Sequence, residues 1–115
     1  MSVLVVEDDP EWRTVLLRVV RRALPGCTIF EADNVREAMR LLLTERPTHA
    51  VVDVVLPGSV GNGLDVAAAA VRQGVRTILS SSHVTERVRG AAFVSKDDIL
   101  TDLGDALSPP GPRPA

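Results

Sequence analysis

The feature that most constrains this chain is a fivefold alternation between short apolar runs and segments of helical period. Short apolar runs favour buried strands, whereas apolar residues spaced three and four apart favour amphipathic helices. The pattern predicts strands at residues 2–6, 27–32, 49–56, 75–80 and 91–95, and helices within 9–26, 34–47, 63–74 and 96–107. Strands that are apolar on both faces and alternate with helices are typical of a parallel sheet between helix layers. We therefore predict an α/β fold, a three-layer α/β/α sandwich with a five-stranded parallel sheet.

Polar residues at the predicted helix starts support these assignments. Asp9 is placed to cap the first helix, and Pro10 follows at the first helical position, where its missing N–H has no cost. Asn34 stands three residues before Glu37, which is a capping-box pattern. Two of the predicted helices therefore have a defined beginning.

Length and charge narrow the class of protein. The chain has 115 residues, 45% of them hydrophobic, which indicates one domain over residues 1–108 and a Pro-rich, disordered tail over 109–115. The net charge of -2 offers no basic surface for nucleic acid. The chain has one cysteine, no signal peptide and no apolar run long enough to span a bilayer, so we expect a cytoplasmic protein with no membrane partner.

Polar and charged residues follow four of the five predicted strands. Strand 1 leads into Glu7 and Asp8, strand 3 into Asp53, strand 4 into Ser80 and strand 5 into Lys96. Ligands of such sheets bind outside the carboxyl ends of the strands. Lys96 is the sole lysine beside twelve arginines, which suggests that a compact ammonium group is required there. We therefore expect these five side chains to form one site.

Three converging carboxylates need a cation. Two carboxylates about 4 Å apart repel by roughly 4 kcal/mol at an effective dielectric near 20, so one of them takes up a proton unless a cation intervenes. Mg²⁺ suits an open site of oxygen ligands and commonly bridges to a phosphate. With the phosphate charge neutralised, a carboxylate can attack phosphorus and become an acyl phosphate. Lys96 and the Ser80 hydroxyl could then bind phosphoryl oxygens.

The stretches "VLVVEDDP", "VVDVVLPG", "ILSSS" and "AAFVSK" resemble the receiver domain of two-component response regulators, of the CheY-like superfamily, over residues 2 to about 108. The resemblance implies a stand-alone receiver with a flavodoxin-like (βα)5 fold and strand order 2-1-3-4-5. It also implies that Asp53 accepts a phosphoryl group and that Glu7 and Asp8 form the acidic pair. The Mg²⁺ shell would include Asp8, Asp53 and the backbone carbonyl of Val55.

The same resemblance implies the switch residues and the partners. Ser80 corresponds to the switch hydroxyl, Phe93 to the aromatic whose rotamer reports phosphorylation, and Lys96 to the lysine that pairs with the phosphoryl group. The donor would be a sensor histidine kinase or a phosphotransfer protein, and the output would pass to a downstream protein through protein contacts. Beyond self-phosphorylation and self-dephosphorylation, no enzymatic activity is expected.

Two departures from the family pattern stand out. The loop "GSVGNG" is longer by about two residues, a change that loops tolerate at little cost. Only ten residues, 81–90, separate strands 4 and 5, so helix 4, the helix between those strands, should be truncated or missing and its residues irregular and mobile. A shortened helix 4 would leave part of one face of the sheet uncovered. We expect this uncovered face to bind a target or a second copy of the chain through strand 5 and the last helix. That helix has four candidate contact residues, some of which must pack on the sheet: Ile99, Leu100, Leu103 and Leu107.

Two alternatives stay open. A pseudo-receiver would keep the fold as an interaction module that no longer cycles phosphate. The shortened helix 4 favours this alternative, and the intact acidic site opposes it. A phosphatase of the haloacid-dehalogenase type would also use an aspartyl phosphate, but that family has an acid two residues after its nucleophile, where this chain has Val55.

Overall fold

The structure, a computed structural model, describes residues 1–54, 62–81 and 88–108. All five predicted strands are present and pair in parallel in the order β2-β1-β3-β4-β5. The strands are β1 (Ser2–Val6), β2 (Thr28–Ala32), β3 (His49–Asp53), β4 (Arg76–Ser81) and β5 (Ala92–Ser95). The helices are α1 (Pro10–Ala23), α2 (Val35–Glu45), α3 (Gly63–Arg72) and a short α4 (Gly104–Leu107). The predicted flavodoxin-like fold is confirmed.

Side-chain caps determine where the first three helices begin. Asp9 accepts hydrogen bonds from the backbone N–H groups of Glu11 and Trp12, and Pro10 occupies the first helical position as predicted. Asn34 accepts from the N–H of Glu37 at 2.8 Å and begins α2. Asn62 forms a full capping box with Asp65 at the start of α3. These caps satisfy N–H groups that have no partner inside their helix.

The core consists of two apolar layers, one on each face of the sheet. One layer joins the sheet to α2 and α3, and the other joins it to α1 and the C-terminal helical segment. All five residues of β3 are buried, because this strand lies in the middle of the sheet and is covered on both faces. The three-layer arrangement therefore follows from strands that are apolar on both faces.

The last helical segment is less regular than the sequence pattern predicts. In place of one helix over 96–107, the chain forms a 3₁₀ turn at Lys96–Asp98, a π-helical turn at Ile99–Leu103 and then α4. Its buried leucines and isoleucine recur every four residues, and those residues are Ile99, Leu103 and Leu107. Leu100 is 77% exposed. Of the four candidate contact residues, Ile99, Leu103 and Leu107 are therefore the ones that pack on the sheet, and Leu100 is left available to a partner.

The connection between β4 and β5 is short. β4 runs one residue beyond its predicted end, so Ser81 belongs to the strand, and β5 begins at Ala92. Residues 88–91 form a non-helical turn in which Gly90 has a φ of 90°. The remaining part of the predicted irregular link, 82–87, lies outside the described residues, as do the lengthened loop at 58–61 and the tail at 109–115. Ten residues therefore separate the end of β4 from the start of β5.

Within the described ranges, none of the helices has the length and apolar character required to cross a bilayer.

Candidate functional site

The charged residues that follow β1, β3 and β5 meet at one edge of the sheet. Glu7 and Asp8 come directly after β1, Asp53 is the last residue of β3, and Lys96 comes directly after β5. Carboxyl ends of parallel strands lie at the same edge, and β1 neighbours β3 in the strand order. Side chains that are distant in sequence therefore become neighbours.

Lys96 bridges the two buried carboxylates. Its Nζ lies 3.1 Å from Oε1 of Glu7 and 3.4 Å from Oδ2 of Asp53. Glu7 is fully buried and Asp53 is 5% exposed, so neither carboxylate can rely on water for solvation. Breaking such a pair by removing one partner leaves an uncompensated buried charge, which is strongly destabilising. The ammonium group therefore helps to hold these two acids together in this structure.

The site perturbs the pKa values of Glu7 and Lys96. Burial, together with a hydrogen bond to Asp53 and its negative charge, raises the pKa of Glu7 to about 7, although Lys96 acts in the opposite direction. Burial acts to lower the pKa of Lys96, but its contacts with Glu7 and Asp53 outweigh burial and raise it. The cluster thus holds more negative charge than one lysine neutralises, so it favours a further cation or a proton.

The donor set fits a divalent cation. Glu7, Asp8 and Asp53 each offer a carboxylate oxygen, and these oxygens all lie within 4.8 Å of one another. Oxygen-only ligands suit Mg²⁺ or Ca²⁺ better than a softer metal. The raised pKa of Glu7 agrees with this fit, because a neighbouring cation would favour its charged form. The predicted fourth ligand, the carbonyl of Val55, lies outside the described residues.

Gly63 determines how closely α3 approaches the site. Its N–H donates to the carbonyl of Val54 at 3.0 Å. A Cβ at this position would collide with the carbonyl oxygen of Asp53 and would lie 2.8 Å from Cα of Val54. Only glycine lets the helix pack directly against the backbone that carries Asp53. No local sequence pattern marks Gly63 as a site residue, since its close contact is made across the fold.

The strand alternation separates Ser80 from Phe93. Ser80 is paired in register with Asp53, is 1% exposed, and its Oγ has no hydrogen-bond partner among the described residues. Phe93 is paired with Leu79, and both pack in the apolar layer between the sheet and helices α2 and α3. Ser80 follows Leu79 in β4 and therefore faces the other side of the sheet. Ser81, which is not among the predicted site residues, lies on the same face of the sheet as Phe93 because side chains along a strand alternate. Period-two alternation shows that adjacent serines face opposite sides, but it does not show which side each one faces.

Trp12 is a further neighbour that the sequence analysis assigned to no site. The Nζ of Lys96 lies over its indole ring, 5.5 Å from the ring centroid. A tryptophan in the first turn of an amphipathic helix is usually part of the core, and only the fold brings it to the end of β5.

Together these features define a class: a flavodoxin-like α/β protein with an acidic cluster and a lysine at the carboxyl ends of its strands. Residues 3–101 match the family described as response regulator receiver domain, and the chain belongs to that family. It is accordingly a receiver domain of two-component systems, which is a class of signalling domain, and the resemblance seen in the sequence is confirmed.

Three comparisons illustrate this membership. The chain is 33% identical over 110 residues to an uncharacterised 14.6 kDa protein of Leptolyngbya boryana, covering 93% of this chain and 82% of that protein. It is 31% identical over 99 residues to the methanogenesis regulatory protein FilR1 of Methanothrix harundinacea, covering 82% of this chain but only 22% of that protein. The structure of the signal receiver domain of the putative response regulator NarL from Mycobacterium tuberculosis superposes with a TM-score of 0.72 at 28% identity, over 92% of this chain and 91% of that one.

Proposed function

We propose that the chain accepts a phosphoryl group on Asp53 and transmits that state through protein contacts. The observation that carries the proposal is the cluster itself: three carboxylates with oxygens within 4.8 Å of one another, and an ammonium group 3.4 Å from Asp53. Membership of the receiver family supports the same conclusion. A cluster with this charge is suited to a phosphoryl group that arrives together with a divalent cation.

The chemistry assigned to Asp53 is a displacement at phosphorus. One carboxylate oxygen of Asp53 attacks the phosphorus of a phosphohistidine, the P–O bond forms, the P–N bond breaks, and the imidazole nitrogen keeps the electron pair and takes a proton from water. Mg²⁺, held by Glu7, Asp8, Asp53 and the carbonyl of Val55, would neutralise charge on the carboxylates and the phosphate. Lys96 would exchange its contact with Asp53 for a contact with a phosphoryl oxygen.

The proposed switch uses the hydroxyls at the end of β4 and the ring of Phe93. A buried hydroxyl without a partner costs about 1–3 kcal/mol, and a phosphoryl oxygen on Asp53 would give the Ser80 hydroxyl an acceptor. Because Phe93 shares its face with Ser81, we propose that Ser81 links the site to the ring. A change at the phosphoryl group would then alter the surface around β5.

The proposed partners are proteins. A sensor histidine kinase or phosphotransfer protein would donate the phosphoryl group in the cytoplasm, and a downstream protein would receive the signal, with no nucleic acid or membrane involved. β5 is an edge strand, so a second copy could also pair through β5 and the C-terminal segment, where Leu100 is exposed. On this proposal the chain's own chemistry is limited to gaining and losing the phosphoryl group.

The alternative is a pseudo-receiver that binds partners without cycling phosphate. The ten-residue connection between β4 and β5 favours it, because that connection is at the lower limit of about 10–12 residues for a crossover that contains a helix.

Mass spectrometry of the intact protein distinguishes the two functions. Incubation with phosphoramidate and Mg²⁺ should add one phosphoryl group to the wild type and to the control Asp102→Asn, whose side chain is exposed on the C-terminal segment. Asp53→Asn should add none. Equal labelling of the wild type and Asp53→Asn would remove Asp53 from its role, and a wild type that is never labelled would favour the pseudo-receiver.

A further inference from the structure

Trp12 covers one side of the Lys96 ammonium group. The side chain is partly buried against the apolar layer between the sheet and α1, and the Nζ of Lys96 lies 5.5 Å from its ring centroid. Asp9, which caps α1, accepts a hydrogen bond from the backbone N–H of Trp12. This bond fixes the position of the Trp12 backbone in the first turn of α1. The contact is within the range over which a cation is attracted to the face of an indole, the strongest of the aromatic side chains for this interaction.

Among the described residues, the ammonium group is contacted by two carboxylates and one aromatic ring. Glu7 and Asp53 attract it as carboxylates at 3.1 and 3.4 Å, and Trp12 attracts it through its ring. In the proposed function both carboxylates change partners when a divalent cation and a phosphoryl group enter. The indole takes part in neither exchange, so its attraction for Lys96 persists in both states.

We propose that Trp12 is a positioning residue for Lys96. Its ring holds the ammonium group at the carboxyl edge while Glu7 and Asp53 change partners, so that Lys96 is already oriented when the phosphoryl group forms. The inference rests on the proposed function, because it assigns to Lys96 the contact with a phosphoryl oxygen.

The indole N–H of Trp12 indicates that contacts of the ring, and not a hydrogen bond from the nitrogen, determine the position of this side chain. The Nε1 atom is buried and has no hydrogen-bond acceptor among the described residues. A buried donor left without an acceptor opposes folding, so contacts of the ring itself must offset that cost. Packing against the apolar layer is one such contact, and the cation of Lys96 is another.

The composition of the chain makes this contact measurable. The sequence contains one tryptophan and one lysine, so labelled tryptophan and labelled lysine each report a single site. In the unphosphorylated protein, the ε-methylene protons of Lys96 should be shifted upfield by the ring current of Trp12. The shift should disappear in Trp12→Leu, provided that melting shows this variant to be folded.

Replacing Trp12 with fluorinated tryptophans distinguishes its role in positioning Lys96 from its role in packing. Each fluorine withdraws electron density from the ring and weakens its attraction for a cation, while the size of the side chain changes little. The rate of Asp53 labelling by phosphoramidate should fall stepwise from unmodified to multiply fluorinated Trp12, by about 2- to 5-fold across the series, as loss of an attraction of roughly 0.5–1 kcal/mol predicts. The melting temperature should fall by no more than about 5 °C, because packing is retained and only this attraction is weakened.

The possible results are distinct. An ordinary chemical shift for the Lys96 methylene protons would overturn the contact itself. A shifted signal with equal labelling rates across the fluorinated series would show that Trp12 only packs, and would overturn the positioning role while leaving the proposed function intact. Absence of labelling in every protein, including the wild type, would refute the proposed function and this inference with it.

Discussion

The close approach of α3 to the site gives a prediction of defined sign. Gly63→Ala places a methyl group against the carbonyl oxygen of Asp53 and 2.8 Å from Cα of Val54, and these are backbone atoms that cannot rotate away. The start of α3 must therefore move outward. This movement breaks the hydrogen bond from the Gly63 N–H to the carbonyl of Val54.

The cost follows from these two changes. Overpacking a well-filled site costs about 1–3 kcal/mol, and loss of one hydrogen bond costs about 0.5–1.5 kcal/mol. We expect Gly63→Ala to lower the free energy of unfolding by about 2–4 kcal/mol, which corresponds to a fall in melting temperature on the order of 10 °C for a domain of this size. Because Asp53 moves with the backbone, the rate of labelling by phosphoramidate should fall by about 100-fold.

Gly104→Ala is the matched control. Gly104 is also the first residue of an α-helix, but among the described residues a Cβ there would meet only Cβ of Ala23 at 3.9 Å, an ordinary contact. Alanine is the better helix former, so this variant should gain about 0.5–1 kcal/mol and label like the wild type. Thermal melting and intact-mass kinetics of both variants test the argument. A Gly63→Ala protein that melts and labels like the wild type would refute it.

Two further predictions concern charge and packing. Because the pKa of Glu7 is raised to about 7, the folded protein holds a proton that the unfolded chain has already released above its ordinary pKa near 4.5. The free energy of unfolding should therefore fall as pH rises through this window, and Glu7→Gln should reduce that slope in urea denaturation without divalent cations. If Glu7→Gln leaves the pH dependence of the free energy of unfolding unchanged, Glu7 is not the group that holds this proton. In the C-terminal segment, Leu103→Ala should lower the free energy of unfolding by about 2–5 kcal/mol because Leu103 is fully buried, whereas Leu100→Ala should change it by less than about 0.5 kcal/mol. Urea midpoints that shift equally in the two variants would be inconsistent with these positions.

Local chemistry made much of the fold predictable. Asp9 and Asn34 cap the helices that the sequence assigns to them, because a cap depends only on backbone N–H groups two or three residues away. The strands were found for a similar reason, since a buried strand needs a continuous apolar run. The C-terminal segment was less predictable, because the apolar pattern of 96–107 does not distinguish an α-helix from a 3₁₀ turn followed by a π-helical turn.

The sequence by itself determined the order of strands and helices along the chain and the polar or charged residues at the ends of four of the five strands. Both depend on neighbours along the chain, and parallel pairing then brings Glu7, Asp53 and Lys96 to one edge. Only the tertiary structure decided that Gly63 packs against the backbone of Asp53 and that Trp12 lies beside Lys96. These contacts join elements that are far apart in sequence, and their geometry depends on how helices pack on a sheet, which hydrophobic periodicity does not encode.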